Sequence, residues 1–125
     1  MKLTRSIALA LALLFAHTSV AALTIAQGYD AFEEGDVTRA VEIWKTLAEQ
    51  GDSTAQVNLG QLYRLGRGVA QDDREAVKWY RMAAQQGSET ALFNLLMMEE
   101  DGRVNDTDLA LTAAGQATDT EVSEA

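Results

Sequence analysis

Residues 59–87 read LGQLYRLGRGVAQDDREAVKWYRMAAQQG. Two glycines flank Arg67, two acids stand together at Asp72-Asp73, and a Trp-Tyr dipeptide follows, yet the stretch holds no histidine or cysteine. The apolar positions explain the pattern. Over 53–65, Ala55, Leu59, Leu62 and Tyr63 recur at the three-to-four spacing of one helical face, with Ser53 as the expected N-cap. Over 72–86, Ala76, Val77, Tyr80, Ala83 and Ala84 do the same, with Asp72 or Asp73 as cap and Gly87 as a left-handed stop. Between them, Gly66-Arg67-Gly68-Val69 supplies two residues tolerant of positive φ and one apolar residue that can tuck back. Two helices joined by such a turn make a hairpin.

The hairpin belongs to a series. A shift of 36 residues pairs Asp36 with Asp72, Ala40 with Ala76, Val41 with Val77 and Gln50-Gly51 with Gln86-Gly87. The same shift pairs Thr54-Ala55 with Thr90-Ala91, Asn58-Leu59 with Asn94-Leu95 and Gly66-Arg67 with Gly102-Arg103. A single offset held through so many pairs is the mark of an internal repeat. An earlier hairpin is expected from helices at 23–34 and 37–50 around a tight Gly35-Asp36 turn. A later one is expected from 89–100 and a short, degenerate helix at 106–116. The units then run over about 24–51, 52–87 and 88–116 of a domain spanning 23–116. Residues 117–125 form a small, polar, acidic tail expected to be disordered. The chain has no proline, which suits a helical body. The expected fold is all-α: a short α-solenoid of antiparallel helix pairs.

The first 22 residues have a different character. Lys2 and Arg5 precede an apolar run from Ile7 to Phe15, and small residues follow at Ser19, Ala21 and Ala22. This is the order of a cleavable secretory signal peptide, with cleavage expected after Ala21 or Ala22. The apolar run falls short of the roughly 20 residues that span a bilayer, and no cysteine follows to carry a lipid. The expected product is periplasmic or secreted, from a bacterium, with no membrane insertion after cleavage. The chain carries a net charge of −9, and loss of Lys2 and Arg5 makes the remainder more acidic still. Such a chain repels nucleic acid and anionic lipid, so a neutral or basic partner is expected.

The residues of 59–87 also resemble a known family, the Sel-1-like repeat of the tetratricopeptide superfamily. The resemblance rests on Leu59, Gly60, Leu62, Tyr63, Gly66, Gly68, Val69, Asp72, Ala76, Trp79, Tyr80, Ala83, Ala84 and Gly87. Gly28, Gly35, Asp36, Ala40, Trp44 and Ala48 resemble a plainer tetratricopeptide unit with a short turn. The third unit drifts: Leu96 replaces the glycine, Glu99 the tyrosine and Val104 the second glycine, as suits a terminal cap. Gly60 costs a helix about 1 kcal/mol relative to alanine, so its use must lie in close approach of a neighbouring helix.

Chemistry is sparse. The only histidine, His17, lies in the leader, and cysteine is absent, which removes the usual nucleophile–base pairs, disulfides and soft-metal sites. Asp72-Asp73 and Glu99-Glu100-Asp101 lack the glycine-spaced loop of a calcium site, so neither a cofactor nor a metal is expected.

What the resemblance implies is a groove lined by the first helix of each pair. Alignment to that pattern places Tyr29, Phe32, Val57, Gln61, Arg64, Phe93, Met97 and Glu100 along it. Tyr29, Val57, Gln61, Arg64, Phe93 and Met97 are the expected contacts for a peptide or partner helix, with Arg64 anchoring a carboxylate and the aromatic and methionine side chains giving apolar pockets. The function expected is a non-catalytic periplasmic adaptor for an envelope protein or peptide, with a homodimer through the solenoid ends also open. The competing reading is a small cell-wall-directed enzyme or carbohydrate-binding protein, which needs two carboxylates converging in a cleft.

Overall fold

A computed structural model describes residues 22–105. Residues 1–21 of the signal peptide expected at 1–22, the helix expected at 106–116 and the tail expected at 117–125 lie outside the described residues. Among the described residues five helices follow one another: α1 (Ile25–Glu33), α2 (Val37–Glu49), α3 (Ser53–Leu65), α4 (Asp73–Gln85) and α5 (Glu89–Glu100). Each packs on the one before and the one after, α1 on α2, α2 on α3, α3 on α4 and α4 on α5, so the all-α hairpin stack read from the sequence is the architecture found.

The helix ends follow local chemistry. Thr24 opens α1 through a reciprocal box with Gln27, so this helix begins two residues later than its apolar pattern suggests. Asp36 caps α2 and Asp72 caps α4. The expected cap of α3 is corrected: Asp52, one residue earlier than Ser53, accepts from Ala55 N at 2.8 Å. A carboxylate at the positive end of a helix is the stronger acceptor, and Ser53 becomes the first helical residue.

The Trp-Tyr dipeptide serves two cores. Adjacent helical residues point about 100° apart, so Trp79 enters a cluster with Ala40, Trp44, Leu47, Leu59 and Leu62 of the preceding helices. Tyr80 enters a second cluster with Val57, Ala91, Leu95 and Met98. Helix α4 thus joins the first hairpin to α5. Tyr80 is fully buried, and it fits because Gly60 has no side chain: a Cβ there would sit 2.7 Å from Tyr80 Cε1. The first hairpin repeats the device, since a Cβ on Gly28 would overlap the Trp44 indole.

The long turn after α3 folds back. Gly66 ends the helix at φ 65°, and Gly68, at φ 70°, lies so close to Val37 and Val41 of α2 that a Cβ would clash. Val69 packs against the first cluster, and Asp72 N donates to Tyr63 O at 3.0 Å to close the turn. One buried polar link crosses three helices. Gln56, 1% exposed, donates to Ala48 O at 3.1 Å and accepts from Gln86 Nε2 at 2.8 Å, pinning the end of α2 to the start of α3 and the end of α4.

Two measurements check this account. Urea unfolding of Gly60→Leu should show a loss of about 1–3 kcal/mol from overpacking, and adding Tyr80→Ala should return less than additive damage because the new volume is then accommodated. Asp52→Ala should cost about 1 kcal/mol, while Ser53→Ala should stay within about 0.5 kcal/mol.

Candidate partner-binding groove

Helices α1 and α3 are the first members of the first two hairpins, and between them lies a hollow of about 280 Å³. Its walls are Tyr29, Phe32 and Glu33 of α1, Trp44 of α2, Asn58, Gln61, Leu62 and Leu65 of α3, and Arg67 of the turn. A second hollow of about 360 Å³ continues it toward the starts of α3 and α5, through Ser53, Thr54, Val57, Ser88 and Thr90. Tyr29, Asn58 and Gln61 line both, so the two form one groove.

An aromatic cluster builds the α1 wall. The Tyr29 ring stands edge-on to Trp44 with centroids 5.2 Å apart, and Phe32 is tilted against Trp44 at 5.8 Å. The Arg67 guanidinium lies 4.5 Å from the Phe32 ring centroid, a cation–π contact across the mouth. The Tyr29 hydroxyl donates to Asn58 Oδ1 at 3.2 Å, bridging α1 to α3.

The expected contact residues separate into two sets. Tyr29 is exposed and Gln61 half-buried, and both line the groove. Phe32 is half-buried against the first core while still forming wall. Val57 lines the second hollow but is mostly core, 8% exposed within the second cluster. Its β-branched side chain sits where α5 packs.

Arg64 lies outside both hollows. It is half-buried, its carbonyl accepts from Arg103 Nη2 at 2.8 Å, and its charge lies near the Tyr80 hydroxyl. Its place between α3 and α4 gives it a neighbour inside the protein instead of a position on the groove. Phe93 and Met97 also lie outside the two hollows. With Leu92 and Leu96 they form an exposed apolar face of α5, opposite Leu95 and Met98, which point inward. Glu100 is exposed on the same helix.

Trp44, Asn58, Leu65 and Arg67 are groove residues that sequence spacing did not single out for this role. Asn58 was visible as half of the repeated Asn-Leu pair, and Trp44 as the counterpart of Tyr80 at the offset of 36, but neither signal says which side chains meet.

The chemistry on offer is that of contact. The groove holds one carboxylate, Glu33, and not the two converging acids that glycoside hydrolysis uses. Asp30, Glu34 and Asp36 gather with Arg39 at a separate shallow hollow by the α1–α2 turn, where Asp36 is engaged as the α2 cap. Among the described residues no three His, Cys, Asp or Glu side chains are grouped to hold a metal ion, and no helix is long and apolar enough to cross a membrane. Asp73 pairs with Arg103, whose Nε lies 3.0 Å from Oδ2.

Comparison with known proteins agrees with the helical-hairpin fold. The Sel1 repeat family matches residues 53–88, which span α3, the glycine turn and α4. The chain is 42% identical over 62 residues to an exopolysaccharide production negative regulator of Rhizobium leguminosarum bv. viciae, covering 50% of this chain and 23% of that protein. It is 37% identical over 73 residues to the ERAD-associated E3 ubiquitin-protein ligase component HRD3B of Arabidopsis thaliana, covering 58% of this chain and 12% of that one. The chain therefore spans about a quarter or less of these curated relatives. The crystal structure of a Sel1 repeat protein from Oxalobacter formigenes superposes with a TM-score of 0.59 at 30% identity, over 81% of this chain and 45% of that one.

One titration reports on the core. Burial raises the Tyr80 phenol above its ordinary value of 10.0, with Arg64 and Arg103 pulling it partly back. The folded state therefore holds the proton more tightly than the unfolded chain. Stability contributed by Tyr80 is full below about pH 10 and falls as pH rises toward the folded-state value. Thermal unfolding followed from pH 8 to 11 should show that decline shallower in Tyr80→Phe than in wild type.

Proposed function

Because this chain is a Sel1-like repeat protein, we propose that it is a non-catalytic interaction adaptor that holds a peptide or helix of a partner protein in the α1–α3 groove. The observation that carries this reading is the continuity of the two hollows through Tyr29, Asn58 and Gln61. A groove that crosses successive first helices offers an extended segment several contacts in line. Repeats of this family mediate protein–protein contacts, and the relatives, a negative regulator and a ligase component, have roles that fit binding. The −9 charge favours a neutral or basic partner.

The place of action in this proposal is the bacterial periplasm. Its support is the order of Lys2, Arg5, the apolar run and Ala21-Ala22, which is that of an export signal. The partner is then an envelope protein.

A crosslinking pull-down from an envelope extract tests the groove. Wild type should capture a discrete partner, and a Tyr29→Ala/Gln61→Ala variant, shown folded by circular dichroism, should lose it by tenfold or more, on the scale of about 2 kcal/mol for a central contact. Equal capture by both proteins would place the contact elsewhere. The mass of the protein recovered from the periplasmic fraction should correspond to a chain starting at Ala22 or Leu23, and recovery of the intact chain in the cytoplasm would reject the location.

A further inference from the structure

Helix α5 presents Leu92, Phe93, Leu96 and Met97 to solvent, and two of them, Phe93 at 62% and Leu96 at 56%, are more than half exposed. At 100° per residue they share a sector of about 140° on one side of the helix, away from Leu95 and Met98 of the second core. None of the four lines the α1–α3 groove. A contiguous apolar patch framed by polar residues marks an interaction surface.

The repeat shows what belongs on this face. Thirty-six residues earlier, the same positions of α3 are Gln56, Val57, Gly60 and Gln61, and the first three are buried. Gln56 bonds Gln86 at the end of α4, and Gly60 seats the Tyr80 ring of α4. The cover over this face of α3 is therefore a helix. On α5 the seat is filled, since Leu96 stands at the position of Gly60, so a covering helix must bring a small residue where α4 brings a ring.

Charge selects among the helices that could lie there. Glu89 stands one turn before the patch and Glu100 one turn after it, both exposed and on the same side of α5. A second copy laid on this face in either direction would bring Glu89 and Glu100 against carboxylates of its own kind. Residues 106–125 carry Asp106, Asp108, Asp119, Glu121 and Glu124 and no lysine or arginine. At the offset of 36 they also have Thr112, Gln116, Asp119 and Thr120 where α4 buries Ala76, Tyr80, Ala83 and Ala84. Four polar residues at those positions make a poor cover for four large apolar ones.

We propose that the outer face of α5 is a second docking surface, and that its occupant is a basic amphipathic helix of a partner protein. That helix lies on α5 as α4 lies on α3, with alanine or glycine against Leu96 and lysine or arginine near Glu89 and Glu100. The apolar stripe supplies the buried area, and the two carboxylates fix the sign of the partner. This surface is independent of the α1–α3 groove, so either assignment can fail without the other.

The test is fluorescence anisotropy of labelled synthetic peptides with the full chain, every variant being shown folded by circular dichroism. The probes are KLKKLAKKLKKLK, the same peptide with phenylalanine for its central alanine, and ELEELAEELEELE. The alanine peptide should bind about tenfold more tightly than either of the others, and Phe93→Ser/Leu96→Ser should lose it by about the same factor. Tyr29→Ala/Gln61→Ala should bind it as wild type does. Leu96→Gly restores the seat and should turn the preference toward the phenylalanine peptide, an exchange that attraction between opposite charges alone does not give. No binding of the alanine peptide, equal binding of the alanine and phenylalanine peptides by wild type, or loss of binding in the groove variant would each overturn the proposal. So would a dimer in sedimentation that Phe93→Ser/Leu96→Ser dissolves, which assigns the face to a second copy. Peptide binding that is strengthened by Leu109→Asp/Leu111→Asp would overturn it as well, by assigning the face to residues 106–116.

Discussion

Within each of the first two hairpins, a glycine on the first helix makes room for an aromatic ring of the second. Gly28 receives Trp44 and Gly60 receives Tyr80, and the rest of the packing is built around those two seats. The second helices are rich in alanine, with Ala76, Ala83 and Ala84 fully or almost fully buried, and alanine alone removes little apolar surface from water. Each aromatic ring brings on the order of 150–250 Å² into the interior. A glycine without a side chain is what allows that area to be buried against the facing helix.

The repeat keeps positions while changing what they do. Arg67 and Arg103 follow equivalent glycines, and both reach back to earlier parts of the chain. Arg67 lies over Phe32 at the groove mouth, whereas Arg103 pairs with Asp73 and donates to the Arg64 carbonyl. Asn58 and Asn94 diverge in the same way, one bridged to Tyr29 and the other bonded to its own helix. The groove is therefore concentrated between the first two hairpins, where an aromatic α1 wall faces α3. On α5 the seat glycine has become Leu96, and that helix presents Leu92, Phe93, Leu96 and Met97 outward. An apolar face on the last described helix is a general consequence of building a core from neighbours alone.

The fold was legible because its determinants are local or periodic. Helix faces, the glycine stops at Gly51 and Gly87, both with positive φ, and the offset of 36 are all written along the chain. The α3 cap was misplaced by one residue because Asp52 and Ser53 are both good caps, and only the backbone position of Ala55 N chooses between them. The groove was half legible. Tyr29 and Gln61 follow from the register of the first helices, but Val57 and Arg64 share that register and face α5 and Tyr80 instead. Register gives a direction around one helix, and burial depends on which neighbour stands in that direction.

By itself the sequence determined the helices, their order, their pairing into hairpins and the scarcity of reactive groups, since these depend on residue type and spacing within a few turns of chain. Only the tertiary structure decided that Trp79 and Tyr80 serve different cores, that Asn58 meets Tyr29 across 29 residues, and that Trp44 and Arg67 enclose a hollow with Phe32. Those contacts join side chains from separate helices. Their distances are set by how closely each pair of helices approaches, a quantity that no single helix contains.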